Sequence, residues 1–342
     1  MNNKFLKYLV VVVIIFSNHS FGKEFNDLFT IYEPIQESSQ IEKSINSAFN
    51  NMVYRLSGSS SPSNVWKIIN SGVKRKDFII SYSIKKIDEK SYLQVIFNQD
   101  MFINKLDALS IPIINYSRPV LLFLIEIDSG SKEPYYLSFK KELDDIDKIF
   151  IDSLRENASN RGLFLELPVF DLQDAKKLAS SSILSDPTNE ISSKYDFDKL
   201  IKIKLTKSGV NDWFFSGDIE SNLSYPQNTI QKISDIFDEF LLKIIDETLE
   251  ELDINSQKKF ILNISVNNIK THEDYIDARD RLNKIIGISS VDIMSFQNNN
   301  IAYKASIQGN LISLMRELED NSYFKIIDYN KGKNFIALEH LK

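Results

Sequence analysis

Six apolar residues in unbroken succession, Val120 to Ile125, set the strongest limit on how this chain folds. A membrane-spanning helix needs roughly 20 such residues, and a strand with one wet face would alternate apolar with polar side chains. The run therefore fits a strand buried on both faces, in the middle of a sheet covered by other layers. A buried helix segment has the same look over so short a span. Pro119 ahead and Asp128-Ser129-Gly130-Ser131 behind bracket a strand-length piece and favour the strand.

The N-terminus says where such a sheet would work. Lys4 and Lys7 form a basic region, Tyr8 to Phe16 a short apolar one, and Ser20-Phe21-Gly22 places small residues where a signal peptidase reads. Residues 1–22 are expected to be a cleaved signal peptide. The alternative, an uncleaved anchor, would need an apolar stretch about twice as long. The chain has no Cys, so disulfides, thiol chemistry and Cys-ligated zinc are excluded in a compartment that would permit them. The signal carries two lysines and no acids, so its removal takes the net charge from −6 to about −8. That balance argues against nucleic acid, whose phosphates call for cations, and for protein partners or small ligands. No later run reaches membrane length, so no integral span is expected after cleavage.

The 342 residues suffice for two or three cores, and the apolar periodicities divide them into three small modules. Residues 23–110 read as an N-terminal α+β domain. It has a strand near Leu28 to Pro34, helices from Gln40 to Leu56 and from Pro62, a hairpin of Phe78 to Ile87 with Tyr92 to Phe97, and a helix from Asn98 to Leu109. Ile111 to Ser117 reads as a link.

Residues 118–254 read as a central α/β sheet with flanking helices. Strand, helix (Leu143 to Asn157) and strand (Leu163 to Phe170) favour a parallel pair with a right-handed crossover. The stretch Ser180 to Ser193 reads as a loop, Lys199 to Glu220 as a hairpin around Lys207 to Val210, and Asn228 to Leu252 as the longest helix. Residues 258–342 show the ferredoxin-like order β-α-β-β-α-β, with Asn334 to Leu338 as a possible extra strand. The expected class is thus α/β and α+β.

Few residues offer chemistry. Glu126 and Asp128 share one face of the opening strand, and Asp171 follows the next, at carboxyl ends of strands where open α/β sheets collect ligands. Three such carboxylates are the candidate ligand-binding residues, able to bind a divalent cation or to act as acid and base. Solvated strand-end acids are commoner, and no Gly-rich phosphate loop follows either strand. No catalytic residue, cofactor or metal site is therefore assigned. His272 and His340 read as surface residues, and Trp66 and Trp213 as core. Eight acids and two lysines between Thr229 and Asp253 read as the wet face of a helix, and Lys74-Arg75-Lys76 as a surface cluster.

Four segments carry a family resemblance. They are Val53-Tyr54-Arg55-Leu56-Ser57-Gly58, Arg118 to Leu124, Gly162 to Leu172, and Trp213-Phe214-Phe215-Ser216-Gly217. In their order and spacing the chain resembles a secreted proteobacterial family called domain of unknown function 2066, over roughly Phe29 to Leu252. Asp196 and Phe197 stand where that family has small residues, and Lys202 where it tends to have Gly. The resemblance implies a periplasmic envelope protein and no particular activity. With no concentrated site, the expectation is a non-enzymatic interaction or scaffold module whose partner is another envelope protein. The alternative is a small-ligand or metal-binding, even hydrolytic, domain.

Overall fold

The computed structural model describes residues 23–35, 41–87, 90–139, 143–171, 174, 192–209, 212–223, 229–252, 259–309 and 311–341. These residues form seven helices and several mixed and antiparallel sheets, the α/β and α+β class expected.

The apolar run lies in β6 (Val120–Asp128), and Val120 to Ile125 are buried on both faces. One flank of β6 pairs in parallel with β9 (Lys199–Lys207). The other is shared: β8 (Phe164–Glu166) runs parallel to its first three residues, and β7 (Tyr135–Tyr136) pairs antiparallel with Glu126 and Ile127. The strand expected over Leu163 to Phe170 is therefore cut to three residues, because β7 occupies the next stretch of that flank. Beyond β9 the sheet continues through β10 (Trp213–Gly217), which pairs antiparallel with β9 as the expected hairpin requires, to β11 (Ser221–Leu223). Leu121, Phe123, Ile125 and Ile127 pack in one core with α4 (Asp145–Arg161) and α5 (Thr229–Glu250). There the rings of Phe150 and Phe237 meet at 4.7 Å. Each large side chain so buried contributes about 1.5–3 kcal/mol.

In the N-terminal unit β2 (Thr30–Pro34), β4 (Lys90–Phe97) and β3 (Ile79–Ile87) lie in that order. Helix α1 (Ile41–Ser57) packs on β2 and β4. Ser61 caps α2 (Pro62–Asn70), with Pro62 in its first turn, and the Asn98 side chain accepts from Met101 N to cap α3 (Gln99–Ala108). Trp66 does not join the core: it is 59% exposed on the outer side of α2, while Trp213 is buried.

The C-terminal unit has β12 (Lys259–Asn267), α6 (His272–Lys284), β13 (Ile288–Gln297), β14 (Asn300–Gln308), α7 (Leu311–Asp320) and β15 (Phe324–Asn330) in the ferredoxin-like order. The neighbours differ from that pattern. Strand β16 (Phe335–His340) enters between β12 and β15, parallel to the first and antiparallel to the second. Its Ile336, Ala337 and Leu338 are all buried, so it suits the interior, whereas β15 exposes much of its length and suits the edge. His340 ends this inner strand and is buried rather than on the surface, with Nε2 2.9 Å from Asp277 Oδ2.

Helices α1 and α4 end against each other, and each end is tied by the other's arginine. Arg55, in the last turn of α1, donates to the carbonyls of Ser159 and Asn160 at the end of α4, and to those of Asp27, Leu28 and Thr30. Arg161, closing α4, donates to the Gly58 carbonyl just past α1 (2.9 Å) and pairs with Asp246 of α5 (2.6 Å). Arg118 donates to the Arg55 carbonyl (3.0 Å) and the Ile114 carbonyl. All three are buried, and burial pulls the guanidinium pKa of Arg55 and of Arg118 down to about 9, which leaves both charged at neutral pH. The negative ends of two helix dipoles offset that burial. Gly162 stands at φ +62 against Arg55 Cδ, 2.8 Å from where a Cβ would lie, so the close approach depends on it.

The link Ile111 to Ser117 is a seam rather than a free tether. Ile111, Ile113, Ile114, Asn115 and Ser117 are buried. Helix α7 docks on this seam and on β5 (Ser117–Arg118), which pairs with β1 (Lys23–Glu24). Asn115 donates to the Ser313 carbonyl, Ser117 N to Glu317 Oε2 (2.8 Å), and Ser117 Oγ to Asp320. Arg316 reaches both Ser117 Oγ and Asp198.

Two predictions follow from these joints. Arg55→Lys keeps a charge but replaces the guanidinium fork with one nitrogen, leaving buried carbonyls unpaired. It is expected to lower unfolding free energy by about 3 kcal/mol in urea titration, while Lys76→Ala on the surface changes it by about 0.5 kcal/mol or less. The second concerns pH. Desolvation pushes Glu317 up to about 7 and Asp320 up to about 6, above the ordinary 4.5 and 3.8. The folded chain thus holds these protons more tightly, so their contribution is fully present below the unfolded values and is lost as pH rises through about 6 to 7. Glu317→Gln is expected to raise the urea midpoint at pH 8 and to flatten its dependence between pH 5 and 8.

Candidate functional site

The three carboxylates singled out in the sequence each have a partner of their own. Glu126 faces Lys204 across the β6–β9 pair, with Oε1 and Nζ 2.8 Å apart. Asp128 ends β6 as expected, and its Oδ1 accepts from Gly130 N at 3.1 Å, closing the turn. Asp171 does not end a strand, because β8 stops at Glu166. Its Oδ1 accepts from Asp174 N at 2.8 Å, and Lys194 bridges Asp171 and Asp174. Among the described residues no group of three or more His, Asp or Glu side chains could hold a metal ion.

The charged residues gather instead in a cleft of about 550 Å³ between the N-terminal and C-terminal units, lined in part by Glu24, Tyr116, Arg281, Lys284, Glu317 and Tyr323. Burial raises the Glu24 carboxyl and pushes the Tyr116 phenol up to about 12. Its strongest groups are already engaged, Arg281 within the C-terminal unit and Glu317 across the joint. Arg281 pairs with Asp277 at 2.6 Å and stacks on the Tyr323 ring, and Glu317 accepts from Ser117 N. The cleft is a polar joint. Sequence reading missed it because its lining comes from segments far apart in the chain.

Two strand surfaces have no such internal use. Strand β3 is the edge of its sheet; Tyr82 and Ile84 lie opposite Val95 and Leu93 and so share the core-facing side. Val95 and Leu93 are fully buried, yet Tyr82 and Ile84 are each 54% exposed, because α1 covers β2 and β4 and stops short of β3. Strand β13 repeats this in the C-terminal unit. Ile293 and Phe296 lie opposite buried Tyr303 and Ile301 but are 53% and 61% exposed. Beside them a groove of about 430 Å³ runs between β13 and the start of α6, lined by Tyr275, Ile293, Phe296 and Ile301 with Lys270, Thr271 and His272. Both strands were legible in the sequence; the exposure of these rows was not.

Comparison with known proteins found no matching family model, no matching curated protein and no matching solved structure. No helix among the described residues is long and apolar enough to cross a membrane.

Because Asp128 serves its own turn, Asp128→Asn is expected to change stability by no more than about 0.5 kcal/mol. Addition of Mg²⁺, Mn²⁺, Ca²⁺ or Zn²⁺ is expected to leave the melting temperature of both proteins in place. A rise in Tm that Asp128→Asn abolishes would restore the carboxylates as a ligand site.

Proposed function

We propose that this protein is a non-enzymatic interaction module of the bacterial cell envelope, exported to the periplasm and held against another envelope protein through its uncovered edge strands. The observation that carries this reading is the pair of exposed apolar rows, Tyr82 with Ile84 and Ile293 with Phe296, each lying opposite a buried core row of the neighbouring strand. Monomeric proteins rarely leave contiguous apolar surface uncovered without a partner for it, and an edge strand adds unpaired backbone groups to the same place. The basic, apolar and small-residue order of residues 1–22 supports export, and the resemblance to domain of unknown function 2066 supports the same compartment.

The competing reading, a small-ligand or metal-binding and hydrolytic domain, would need Glu126, Asp128 and Asp171 to converge on one ligand. Their separate partners give that reading no support.

A photo-crosslinking amino acid placed at Tyr82 or Ile293 in cells producing the full chain is expected to give a discrete adduct with an envelope protein. The same group at Asp235, on the wet face of α5, is expected to give none. Equal labelling at all three positions, or at none, would overturn the proposal.

A further inference from the structure

We propose that the groove between α6 and β13 is a strand-addition site for an extended, acid-bearing segment of a partner protein. That segment pairs with the free edge of β13, sets a large apolar side chain into the groove and brings a carboxylate to Lys270. The inference rests on the interaction reading above and names the partner's chemistry at one of its two surfaces.

Extended shape follows from the strand. Among the described residues β13 pairs only with β14 over its ten residues, and it is the outermost strand of the sheet, so its other side presents N–H and C=O groups unpaired by any of them. A segment laid along that side satisfies them and projects every second side chain to the face that carries Ile293 and Phe296. That face opens on the groove, whose volume lies within the ordinary range for ligand sites. A helix resting in the groove would cover Phe296 and leave the backbone edge unpaired.

Acidity follows from the groove's charge. Lys270 is the one lining residue with a permanently charged side chain, and it forms no ion pair among the described residues. Of the two acids next in sequence, Glu273 does not line the groove, and Asp274 Oδ2 accepts from the backbone N of Lys270 and of Thr271, both at 2.9 Å, where it caps α6. A carboxylate on a partner laid in the groove would meet the Lys270 ammonium there. On a chain whose net charge is −6, this cation also marks one place where an acidic segment is attracted.

A second copy of this chain fits less well. The only acid on β13 is Asp292, which lies opposite Lys304 on the other face of the sheet, so antiparallel pairing of two β13 strands brings no carboxylate to the Lys270 side.

The test uses the full mature chain and a fluorescent nine-residue peptide, blocked at both ends, in which threonine alternates with valine, valine, leucine and aspartate. The apolar residues and the acid then share one face. By fluorescence anisotropy this peptide is expected to bind about threefold more tightly than its twin with asparagine for aspartate. Lys270→Glu is expected to abolish that preference, Ile293→Glu to abolish binding, and amide exchange along β13 to slow when the peptide is bound. Both variants alter exposed side chains, and circular dichroism checks that they fold. Absent binding, equal binding of the two peptides, or unprotected β13 amides overturns the inference, as does self-association of the chain that Ile293→Glu removes. If crosslinks at Ile293 form in cells while the peptide fails, the partner chemistry is wrong and the interaction reading stands. If the peptide fails and crosslinks form at neither Tyr82 nor Ile293, both fall.

Discussion

Two helices that end head-on would normally repel, since each presents a cluster of unpaired carbonyls with partial negative charge. Here α1 and α4 meet in that way, and the exchange of Arg55 and Arg161 across their ends turns the repulsion into an attachment. The rest of the molecule is arranged about this exchange. Arg118 adds a third guanidinium by holding the Arg55 carbonyl, and it stands two residues before the buried run of β6. The N-terminal and central units are thereby joined through main-chain carbonyls, whose positions are fixed by the helices themselves, more than through carboxylate side chains. Asp246 is the direct carboxylate partner of Arg161, and it also accepts from Ser60, so α5 is tied into the same joint.

This joint gives a physical meaning to three short segments of the sequence, Val53 to Gly58, Arg118 to Leu124 and Gly162 to Leu172. Arg55 and Gly58 come from the first, Arg118 from the second and Gly162 from the third, and the fold brings the three to one place. Their spacing in sequence is that of two helix ends and a strand start. Such segments specify a way of joining units and say nothing of chemistry.

Local signals were legible where the residues concerned settle their own conformation. Ser61-Pro62 and Asn98 start helices because their side chains and φ angles suit a helix start in any surroundings, and Val120 to Ile125 is buried because nothing in it tolerates water. What failed depended on neighbours. The length of β8 is set by β7, the burial of His340 by the entry of β16 between two other strands, and the exposure of Trp66 by the absence of a layer over α2. The candidate carboxylates belong with these. Glu126 and Asp128 were placed on the right strand, but whether acids converge or find separate partners is decided by the register with β9 and by the path of the chain after Glu166. The uncovered rows on β3 and β13 were invisible for the same reason, since a strand does not record which helix will pass over it.

The insertion of β16 also imposes an order on assembly. In a ferredoxin-like unit the first strand finds both neighbours among the strands that precede the final turn. Here β12 gains its second neighbour only from the segment ending at His340, and β15 is attached to the sheet solely through that same segment. A chain emerging from its N-terminus first can complete the N-terminal sheet early, yet must keep β12 open on one side until residue 340 has emerged. The apolar row of β12 therefore waits, half covered, on a segment some seventy residues further along the chain.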